Sequence, residues 1–356
     1  MTTHCYIEKL KLHNFRSYSN FELDSGDNSI VIVGKNGIGK TNILEAISLL
    51  AKSNGLKKAK VSEMQNRSSN EDWAVHYSFF DGPDFHSIGI AKKFNKKLVQ
   101  IDGKAQSNYL SLYKISNVIW LIPQMDYILL NSPSDMLKFL DRIVSMFEKD
   151  YTCSYVQYRK AKRERSRLLR ANVLDESWLS SLENIMASNA VNILHMRSSV
   201  LKMLQDTINN HSTGFFPKAD LKLSRQLNSN GTVEYCQKRF KEDRQRDLLT
   251  GRVNFGVHND NFQVFCQKRA VPITLCSTGE QKLLLLSIIL SSVKARCIHH
   301  NKAPVLLLDD IMSYLDKQYR KLLIEEILSI KCQTWITDVN RDNFNDYGAS
   351  FKFFDL

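Results

Sequence analysis

Residues 34–41, GKNGIGKT, match the pattern G-x-x-x-x-G-K-[ST], whose glycine-rich loop can surround a polyphosphate. A short β-branched run at 30–33 precedes the loop, and apolar residues recur at helical spacing after it, so the loop has the strand and the helix that this chemistry requires. Backbone N–H groups of such a loop, with the positive end of its helix, attract phosphate oxygens. Lys40 would reach the β- and γ-phosphates, and the Thr41 hydroxyl would ligate Mg²⁺. The loop predicted to bind ATP comprises Gly34, Lys35, Asn36, Gly37, Ile38, Gly39, Lys40 and Thr41.

Two adjacent carboxylates far along the chain could complete this site. An apolar run at 305–308 ends in Asp309 and Asp310, where a strand beside the glycine loop would present a metal ligand. Asp309 is predicted to hold Mg²⁺ directly or through water, and Asp310 to polarise the attacking water. The alternative is that the two residues only cap a helix after a core strand, since Asp is favoured at helix N-termini. The upstream glycine loop favours the nucleotide site.

The stretch CSTGEQKLLLLSIIL at 276–290 joins a polar turn to a strongly apolar helix. Ser277 and Glu280 have the S-x-x-E spacing of a capping box, which predicts a helix beginning near Gln281. Taken alone, this is a well-capped core helix. Its position between the glycine loop and the carboxylates makes S-T-G-E-Q resemble the signature motif of ABC-type ATPases. That resemblance implies that Ser277, the Gly279 N–H and the helix N-terminus bind the γ-phosphate of ATP held by a second subunit; positive helix ends do attract anions.

Several blocks, in order over nearly the whole chain, resemble the RecF family, bacterial DNA recombination and gap-repair ATPases related to the SMC proteins. They are IEKLKLHNFRSYSNFEL, VGKNGIGKTNILEAISLL, WLIPQMDYILLNSPSDMLKFLD, GVHNDNF, CSTGEQKLLLLSIIL and VLLLDDIMSYLD. Their combination is far more specific than any one block. The resemblance implies an α/β fold, a P-loop ABC-type ATPase head with a helical insertion domain.

The same resemblance implies a function and partners. A protein of this family would dimerise on binding ATP and Mg²⁺, bind double-stranded DNA near single-strand gaps or junctions without sequence specificity, and assist RecA loading together with RecR and RecO. Slow, Mg²⁺-dependent and DNA-stimulated ATP hydrolysis would release the DNA. The expected setting is DNA replication, DNA repair and the SOS response to DNA damage.

Position by position, the resemblance assigns further site residues. Gln124 falls at the loop that senses the γ-phosphate and the metal, where an acidic residue is more usual in the family; with Lys40 and Asp310 it forms the predicted catalytic group. Arg16, in NFRSY, matches a basic residue near the nucleotide, and the alternative is a plain surface arginine. Residues 313–316 match the D-loop, which touches the partner subunit.

Three departures from the family pattern concern arginines. Asn259 stands where the G-P-H-R-x-D block has arginine, Met136 and Leu137 stand where an arginine pair is usual, and Lys57 replaces another arginine. These changes bear on DNA affinity and on full activity, and they leave the ATP site intact.

The elements that must position these residues divide the chain into a head and an insertion. Residues 73–80 and 87–101 have the pattern of antiparallel strands. After residue 131, Ser132 and Pro133 begin a helical pattern. The head, lobe I, is predicted at 1–131 and 251–356, and the helical insertion, lobe II, at 132–250, with a loose polar stretch at 214–231.

A basic tract at 158–170, YRKAKRERSRLLR, lies inside the predicted insertion. It holds seven Lys or Arg and one Glu, and on a helix these charges point to more than one side. Alone, it would be read equally well as a solvated basic face; the family resemblance favours a DNA-phosphate tract without base recognition. The residues predicted to contact DNA are Arg159, Lys160, Lys162, Arg163, Arg165 and Arg167.

Composition limits the remaining possibilities. The 356 residues are 43% apolar, which is typical of a folded protein, and the net charge of +12 is commonest in proteins with nucleic-acid partners. The longest apolar block, 283–290, is far shorter than a membrane span, and the first residues lack a signal-peptide core, so a cytoplasmic protein without a membrane partner is expected. The seven widely separated cysteines predict neither disulfides nor a zinc site.

Two other functions use the same motifs. The chain could be an ATP-switched DNA-binding scaffold with little hydrolysis, in which case Asp310→Asn would leave its function intact. It could also be the nucleotide-binding subunit of a transporter, which would copurify with a multi-span membrane protein. The basic insertion and the NFRSY and STGEQ motifs favour the DNA-binding ATPase.

Overall fold

A computed structural model describes residues 3–51, 55–94, 96–107, 110–125, 128, 132–173, 175–211, 216–224 and 231–356. In chain order the strands are β1 Thr3–His4, β2 Tyr6–Phe15, β3 Tyr18–Asp24, β4 Ser29–Val33, β5 Ala74–Phe80, β6 Phe85–Lys93, β7 Lys96–Ile101, β8 Lys104–Ala105, β9 Val118–Leu121, β10 Ala219–Ser224, β11 Asn261–Cys266, β12 Val271–Pro272, β13 Lys302–Ala303, β14 Val305–Asp309, β15 Thr334–Asp338 and β16 Phe351–Asp355. The α-helices are α1 Lys40–Ser48, α2 Leu110–Ile115, α3 Pro133–Phe147, α4 Tyr151–Arg170, α5 Glu176–His211, α6 Val233–Glu242, α7 Arg244–Thr250, α8 Thr278–His300 and α9 Lys317–Ile330.

The chain forms two compact units. The first unit contains Met1–Asp126, His211–Phe216 and Leu285–Leu356, and the second unit contains Tyr127–Asn210 and Pro217–Leu284. The architecture is α/β, with the strands concentrated in the first unit and long helices in the second.

A parallel sheet in the order β16-β4-β15-β14-β9 is the framework of the first unit. Strands β4, β9, β14 and β15 are almost entirely buried, as parallel strands covered on both faces are, whereas the edge strand β16 is only partly buried. Because all five strands run in one direction, their carboxyl ends meet at one edge. That edge therefore collects the loops that follow β4, β9, β14 and β15.

A second sheet of the first unit is antiparallel, in the order β3-β2-β5-β6-β7-β8. It contains the strands predicted at 73–80 and 87–101, but the second stretch is two strands, β6 and β7, which pair as a hairpin between Lys93 and Lys96. The apolar pattern missed this turn because the sequence there, KKFNKK, lacks glycine and proline.

The second unit combines α3–α7 with the antiparallel sheet β10-β11-β12. Helix α3 begins at Pro133 after Ser132, as predicted, and buries one apolar face that includes Leu140 and Val144. Helix α5 buries Met186, Ile193 and Val200, which recur at seven-residue intervals.

The second domain boundary differs from the prediction at residue 251. The chain stays in the second unit until Leu284, because β11 pairs along its whole length with β10. Strand β10 lies within the stretch predicted to be loose and polar, 214–231, whose other residues lie partly outside the described residues. The long-range pairing of β10 and β11, about forty residues apart in sequence, has no local signature.

Helix α8 carries the apolar run that follows the capping box. In the described part of the chain it alone is long and apolar enough to cross a membrane, with a mean hydropathy of 1.3 over its most apolar window, yet 72% of that window is buried inside the protein. Leu284, Ile288 and Ile289 are fully buried, so α8 is accounted for as a core helix.

Candidate functional site

The glycine loop follows β4 and leads directly into α1, as its pattern predicts. Gly39, the residue before the helix, has φ 119°, and a Cβ there would lie 2.7 Å from Ser17 Oγ and 2.8 Å from the Tyr18 hydroxyl oxygen. Gly37 has φ 85°. Both conformations are open to glycine and strained for other residues, so the loop takes its shape from its glycines, and α1 begins with its N–H groups directed at the loop.

Lys40 and Thr41 occupy the first turn of α1. The Lys40 side chain is largely buried, and its ammonium donates to the carbonyl oxygens of Gly34 and Lys35, which hold it at the loop. The Thr41 hydroxyl lies 2.9 Å and 3.0 Å from the two carboxylate oxygens of Asp309, to which it donates. Residues separated by 268 positions are thus adjacent, as the sequence predicted.

These residues fit Mg²⁺ and a polyphosphate. Thr41 and Asp309 offer adjacent hydroxyl and carboxylate oxygens, the donors that Mg²⁺ prefers. Asp309 ends β14 and is 4% exposed, so it approaches the loop from within the sheet rather than from solvent. Thr41 and Asp309 would hold the metal, and the loop N–H groups with Lys40 would hold the phosphates.

Thr337, near the end of β15, is a member of this cluster that motif matching missed. Its hydroxyl donates to Asp309 Oδ1 at 2.7 Å and accepts from the Asp310 N–H at 2.9 Å. Strand β15 lies between β4 and β14, so its end must face both the glycine loop and Asp309. The signal in the sequence that could have located Thr337 was a third short strand-like run, TWITD, which ends in polar residues.

Asp310 directly follows β14 and has a left-handed backbone with φ 50°. Burial raises the pKa of its carboxyl group above the usual value, and the nearby charges of Asp309 and Asp338 raise it further. A carboxylate with a raised pKa is a stronger base. Asp310 therefore lies beside Asp309 with a raised pKa, and its role in polarising the attacking water stays a prediction.

Gln124 lies in a short 3-10 turn, Pro123–Met125, directly after β9. Strand β9 pairs with β14, so this turn is at the same edge of the sheet as Asp309. The side chain of Gln124 lies outside the described residues, and its role as a sensor of the γ-phosphate stays a prediction.

Arg16 is held against the helix that follows the glycine loop. Its guanidinium donates through Nε and Nη2 to the carboxylate of Glu45, which is fully buried, and through Nη1 to the Glu63 carbonyl oxygen. Lys57, at the position of a family arginine, lies 3.5 Å from Glu45 and donates to Asn42 Oδ1 at 3.0 Å. Both cations are beside α1, and the predicted contact of Arg16 with the nucleotide stays a prediction.

The signature turn lies in the second unit and forms the expected capping box. The Ser277 N–H donates to Glu280 Oε2 at 2.9 Å, and the Glu280 N–H reaches Ser277 Oγ at 3.4 Å. The helix begins at Thr278, three residues earlier than predicted. Ser277 and Gly279 are exposed, and a Cβ added to Gly279 would meet nothing within 4 Å. This helix end is open to a ligand or a partner.

The basic tract forms the second half of α4, and the structure separates its residues by face. Arg159, Lys160 and Arg163 are exposed and Lys162 is half-buried. Arg167 is exposed, and its guanidinium is bound to Glu164 at 2.7 Å.

Arg165 is a correction to the prediction of DNA contacts. Its side chain has no exposed surface and donates to Glu183 at 2.9 Å, to Asp247 at 2.6 Å and to the Phe240 carbonyl oxygen at 2.6 Å. A guanidinium enclosed by two carboxylates serves packing of the second unit and cannot reach a DNA phosphate. The linear tract gave no sign of this because helical spacing alone does not show which face is buried.

The other departures from the family pattern have structural roles here. Met136 and Leu137 are buried in the core of the second unit. Asn259 is exposed and donates from Nδ2 to the Asn254 carbonyl oxygen at 2.8 Å, which closes the loop after α7. Neither apolar residue can replace a phosphate-binding arginine.

Comparisons with known proteins agree with this geometry. The family described as RecF/RecN/SMC N terminal domain matches residues 6–355. The DNA replication and repair protein RecF of Rickettsia akari (strain Hartford) is 33% identical over 361 residues, covering 99% of both chains. The RecF of Rickettsia prowazekii (strain Madrid E) is 33% identical over 352 residues, covering 96% of both.

Solved structures show the same fold. The recombination mediator protein RecF with ATP, of the RecFOR pathway, has a TM-score of 0.86 at 22% identity, covering 96% of this chain and 94% of that one. The Smc head domain of Pyrococcus furiosus bound to the C-terminal domain of ScpA has a TM-score of 0.56 at 17% identity, covering 99% and 93%. The predicted fold class, a P-loop ABC-type ATPase head with a helical insertion, is confirmed. The chain belongs to the RecF family of DNA replication and repair proteins.

Proposed function

We propose that this chain is an ATP-dependent DNA-binding protein of recombinational and gap repair. Two copies associate when they bind ATP and Mg²⁺, the dimer holds duplex DNA near a single-strand gap, and slow hydrolysis, stimulated by DNA, releases it. By analogy with relatives named for DNA replication and repair and for the RecFOR pathway, it acts in the cytoplasm with RecR and RecO to assist RecA loading.

The observation that carries the proposal is the contact between Thr41 and Asp309 beside the glycine loop. It joins a hydroxyl and a carboxylate at 2.9 Å at the carboxyl edge of a parallel sheet, where such sheets bind their ligands. Thr337 and Asp310 complete the cluster on the neighbouring strands. This combination supports a site for a magnesium nucleotide.

Mg–ATP, when bound, supplies a γ-phosphoryl group that is activated for attack by water. The loop N–H groups and Lys40 bind the phosphates and neutralise their charge. Thr337 orients the Asp309 carboxylate toward Thr41, so the ligands that would hold the metal are positioned before it arrives. Asp310, whose pKa is raised by burial, orients the attacking water and accepts its proton.

The exposed signature turn supports an active site shared by two copies. The Ser277 hydroxyl, the first N–H groups of α8 and the open surface at Gly279 form a positive helix end with room for a phosphate. A partner molecule would bring its own glycine loop and nucleotide to this surface. Each dimer would then hold its nucleotides between the loop of one copy and α8 of the other.

Sedimentation velocity with and without Mg–ATP tests this function. The wild-type chain is expected to shift from monomer to dimer only with the nucleotide, and Lys40→Ala to stay a monomer. Gly279→Ala is the sharper variant, because alanine stabilises an exposed helix by about 1 kcal/mol relative to glycine. Its methyl group would nevertheless obstruct the phosphate and weaken association by about tenfold.

Gly348→Ala is the matched control, because Gly348 is also exposed and its added Cβ also meets nothing within 4 Å. It should associate as the wild type does. A chain that remains monomeric in excess Mg–ATP, or a Gly279→Ala variant that dimerises normally, would contradict the shared site.

A further inference from the structure

A concave groove of about 680 Å³ runs along α4 in the second unit. One wall is the face of α4 formed by residues that recur at three- and four-residue spacing. The opposite wall is the loop after α7, and its lining residues lie between Gly251 and Asn259. The lining residues of the α4 wall are Val156, Arg159, Lys160, Lys162, Arg163, Ser166 and Arg170.

Among the described residues, six cations line this groove and no carboxylate does. We refer to them as the groove cations: Arg159, Lys160, Lys162, Arg163, Arg170 and Arg252. Two of them, Arg170 and Arg252, lie outside the set predicted from the basic tract.

In the part of the chain that the structure describes, none of the groove cations forms an ion pair, whereas Arg165 and Arg167 on the same helix each do. Burial lowers the pKa of Lys162, and the charge of Arg159 lowers it further. Positive charges that lie close together in a groove repel one another, and an anionic ligand would relieve this repulsion.

The second wall of the groove is held in place by buried polar contacts. Arg197, fully buried, donates to the Val257 carbonyl oxygen at 2.7 Å and to Asp260 at 2.9 Å. The Asn254 N–H donates to Asp247 at 2.8 Å, and Asp247 is itself bound by Arg165. The groove is therefore preformed, and a ligand that binds there need not order the loop.

A hydrogen-bonded histidine joins the two walls. Tyr158 of α4 lies 2.8 Å from Nδ1 of His258, whose Nε2 lies 3.0 Å from the Val253 carbonyl oxygen. Because a carbonyl can only accept, Nε2 carries the proton and Nδ1 accepts from the tyrosine hydroxyl. Burial lowers the pKa of His258 to about 4, so its imidazole is neutral and its two hydrogen bonds hold the loop against α4.

The dimensions fit a nucleic-acid backbone. From Val156 to Arg170 the helix rises about 21 Å at 1.5 Å per residue. A DNA strand carries one phosphate per about 3.4 Å of duplex axis, so about six phosphates span this length. The groove offers six cations. The lining residues that the structure describes include no Phe, Tyr or Trp on which unpaired bases could stack, which favours a duplex over a single strand.

We propose that this groove binds the phosphate backbone of duplex DNA through the six groove cations, so that Arg170 and Arg252 are binding residues there together with Arg159, Lys160, Lys162 and Arg163. The inference rests on the DNA-binding function proposed above and assigns the surface that performs it. Recognition there is by charge and shape, because neither wall presents an element to read base edges.

Fluorescence anisotropy with a labelled duplex of about 30 base pairs, over about 50 to 200 mM salt, tests the assignment. If all six groove cations contact phosphates, log affinity should fall with log salt at a slope of about −5. The variants Arg170→Ala and Arg252→Ala should each make the slope shallower by about 0.9. Each should also weaken binding by about tenfold, which corresponds to about 1.4 kcal/mol.

Arg167→Ala is the matched control, since it removes the same charge from the same helix at an exposed position outside the groove lining. It should change affinity by less than about twofold. Thermal unfolding should show all three variants folded, because each altered side chain is exposed. Equal losses in groove and control variants would overturn the groove and leave only a general charge effect.

Two competitors and one parallel measurement complete the test. The duplex assignment would be overturned by a single strand of the same sequence that binds more tightly than the duplex and is weakened by the same variants. It would also be overturned if polyglutamate bound as well as the duplex does. ATP-dependent dimerisation of Arg170→Ala and Arg252→Ala should be normal. If dimerisation and duplex binding both persist in these variants, the groove assignment fails while the proposed function stands; if the wild type binds no DNA with or without ATP, both fail.

Discussion

At the scale of single residues, the predicted ATP site includes a threonine that belongs to no motif of the sequence. Thr337 bonds to both members of the Asp309–Asp310 pair, through the carboxylate of one and the N–H of the other. A hydroxyl that both donates and accepts can fix two neighbours at once. Thr337 therefore orients Asp309, the predicted metal ligand.

Replacing Thr337 by valine keeps the volume and removes both hydrogen bonds. We expect the affinity for Mg–nucleotide to fall by about tenfold or more, as when the outer partners of metal ligands are removed. Stability should fall by about 1–3 kcal/mol, because buried polar groups lose their partner. Calorimetric titration with Mg–ATP analogues and thermal unfolding would measure the two effects.

Thr334→Val is the control on the same strand, since its hydroxyl donates to the Cys332 carbonyl oxygen and lies away from the aspartates. It should lower stability without changing the Mg²⁺ dependence of nucleotide binding. If both variants bind Mg–nucleotide alike, Thr337 has no part in positioning Asp309.

His258 predicts a pH dependence of stability. Burial, and then the charge of Lys162, lowers its pKa from the ordinary 6.5 to about 4 in the folded protein. Between these pH values the unfolded chain binds a proton that the folded chain does not, so the free energy of unfolding should fall as pH falls from about 6.5 to about 4. Denaturant unfolding over this range should show a shallower dependence for His258→Gln than for the wild type.

The matched variant is His195→Gln, on an exposed position of α5. Its pH dependence should follow that of the wild type. A His258→Gln variant that loses stability with acid as steeply as the wild type would show that other groups carry the effect.

At the scale of elements, α4 presents different chemistry on its different faces. One face lines the basic groove, while Arg165 is enclosed by Glu183 and Asp247, and Leu168 and Leu169 pack against Leu179. The helix is therefore a core element on one side and a wall of the proposed DNA-binding groove on another.

Substitution of two arginines on α4 should separate these faces. Arg165→Met leaves Asp247 without its guanidinium and Glu183 with only Arg244, and should cost about 3–5 kcal/mol of stability, as when one partner of a buried ion pair is removed. Arg167→Met, on the exposed face, should change stability by less than about 0.5 kcal/mol. Denaturant titration by circular dichroism would measure both, and equal stabilities would contradict the buried role of Arg165.

At the scale of the whole molecule, the proposed function requires two copies of the chain and a cycle of DNA binding and release. Asp310→Asn should keep nucleotide binding and dimerisation, because the loop, Thr41 and Asp309 are unchanged. Hydrolysis should fall by about 10²-fold or more, the usual contribution of a general base. Single-turnover hydrolysis combined with sedimentation would show a dimer that persists with ATP.

Asp346→Asn, at an exposed carboxylate outside the Thr41–Asp309–Asp310–Thr337 cluster, provides the control for the loss of one negative charge. It should hydrolyse ATP as the wild type does. If Asp310→Asn also keeps its hydrolysis rate, another group activates the water; if it loses hydrolysis but retains biological function, the protein is a scaffold that ATP switches.

Sequence patterns alone predicted the glycine loop, the carboxylate pair, the capping box and the family. Each of these is encoded within a short stretch, because a loop that surrounds phosphates needs glycines at fixed spacing and a capped helix needs its side chains three residues apart. Their order along the chain was enough to predict an α/β ATPase head with an insertion. For the same reason, α3 and α8 could be located from local patterns alone.

Contacts between residues far apart in sequence became known only from the folded chain. Thr337 joins the aspartates because β15 lies between β4 and β14, and β10 joins β11 across an intervening pair of helices. The buried and exposed faces of α4 could not be predicted from the sequence either, since helical spacing places charges around the helix axis without showing which side is packed. Arg165 became a core residue and Arg252 a member of the groove because burial is decided by what the rest of the chain places against each face.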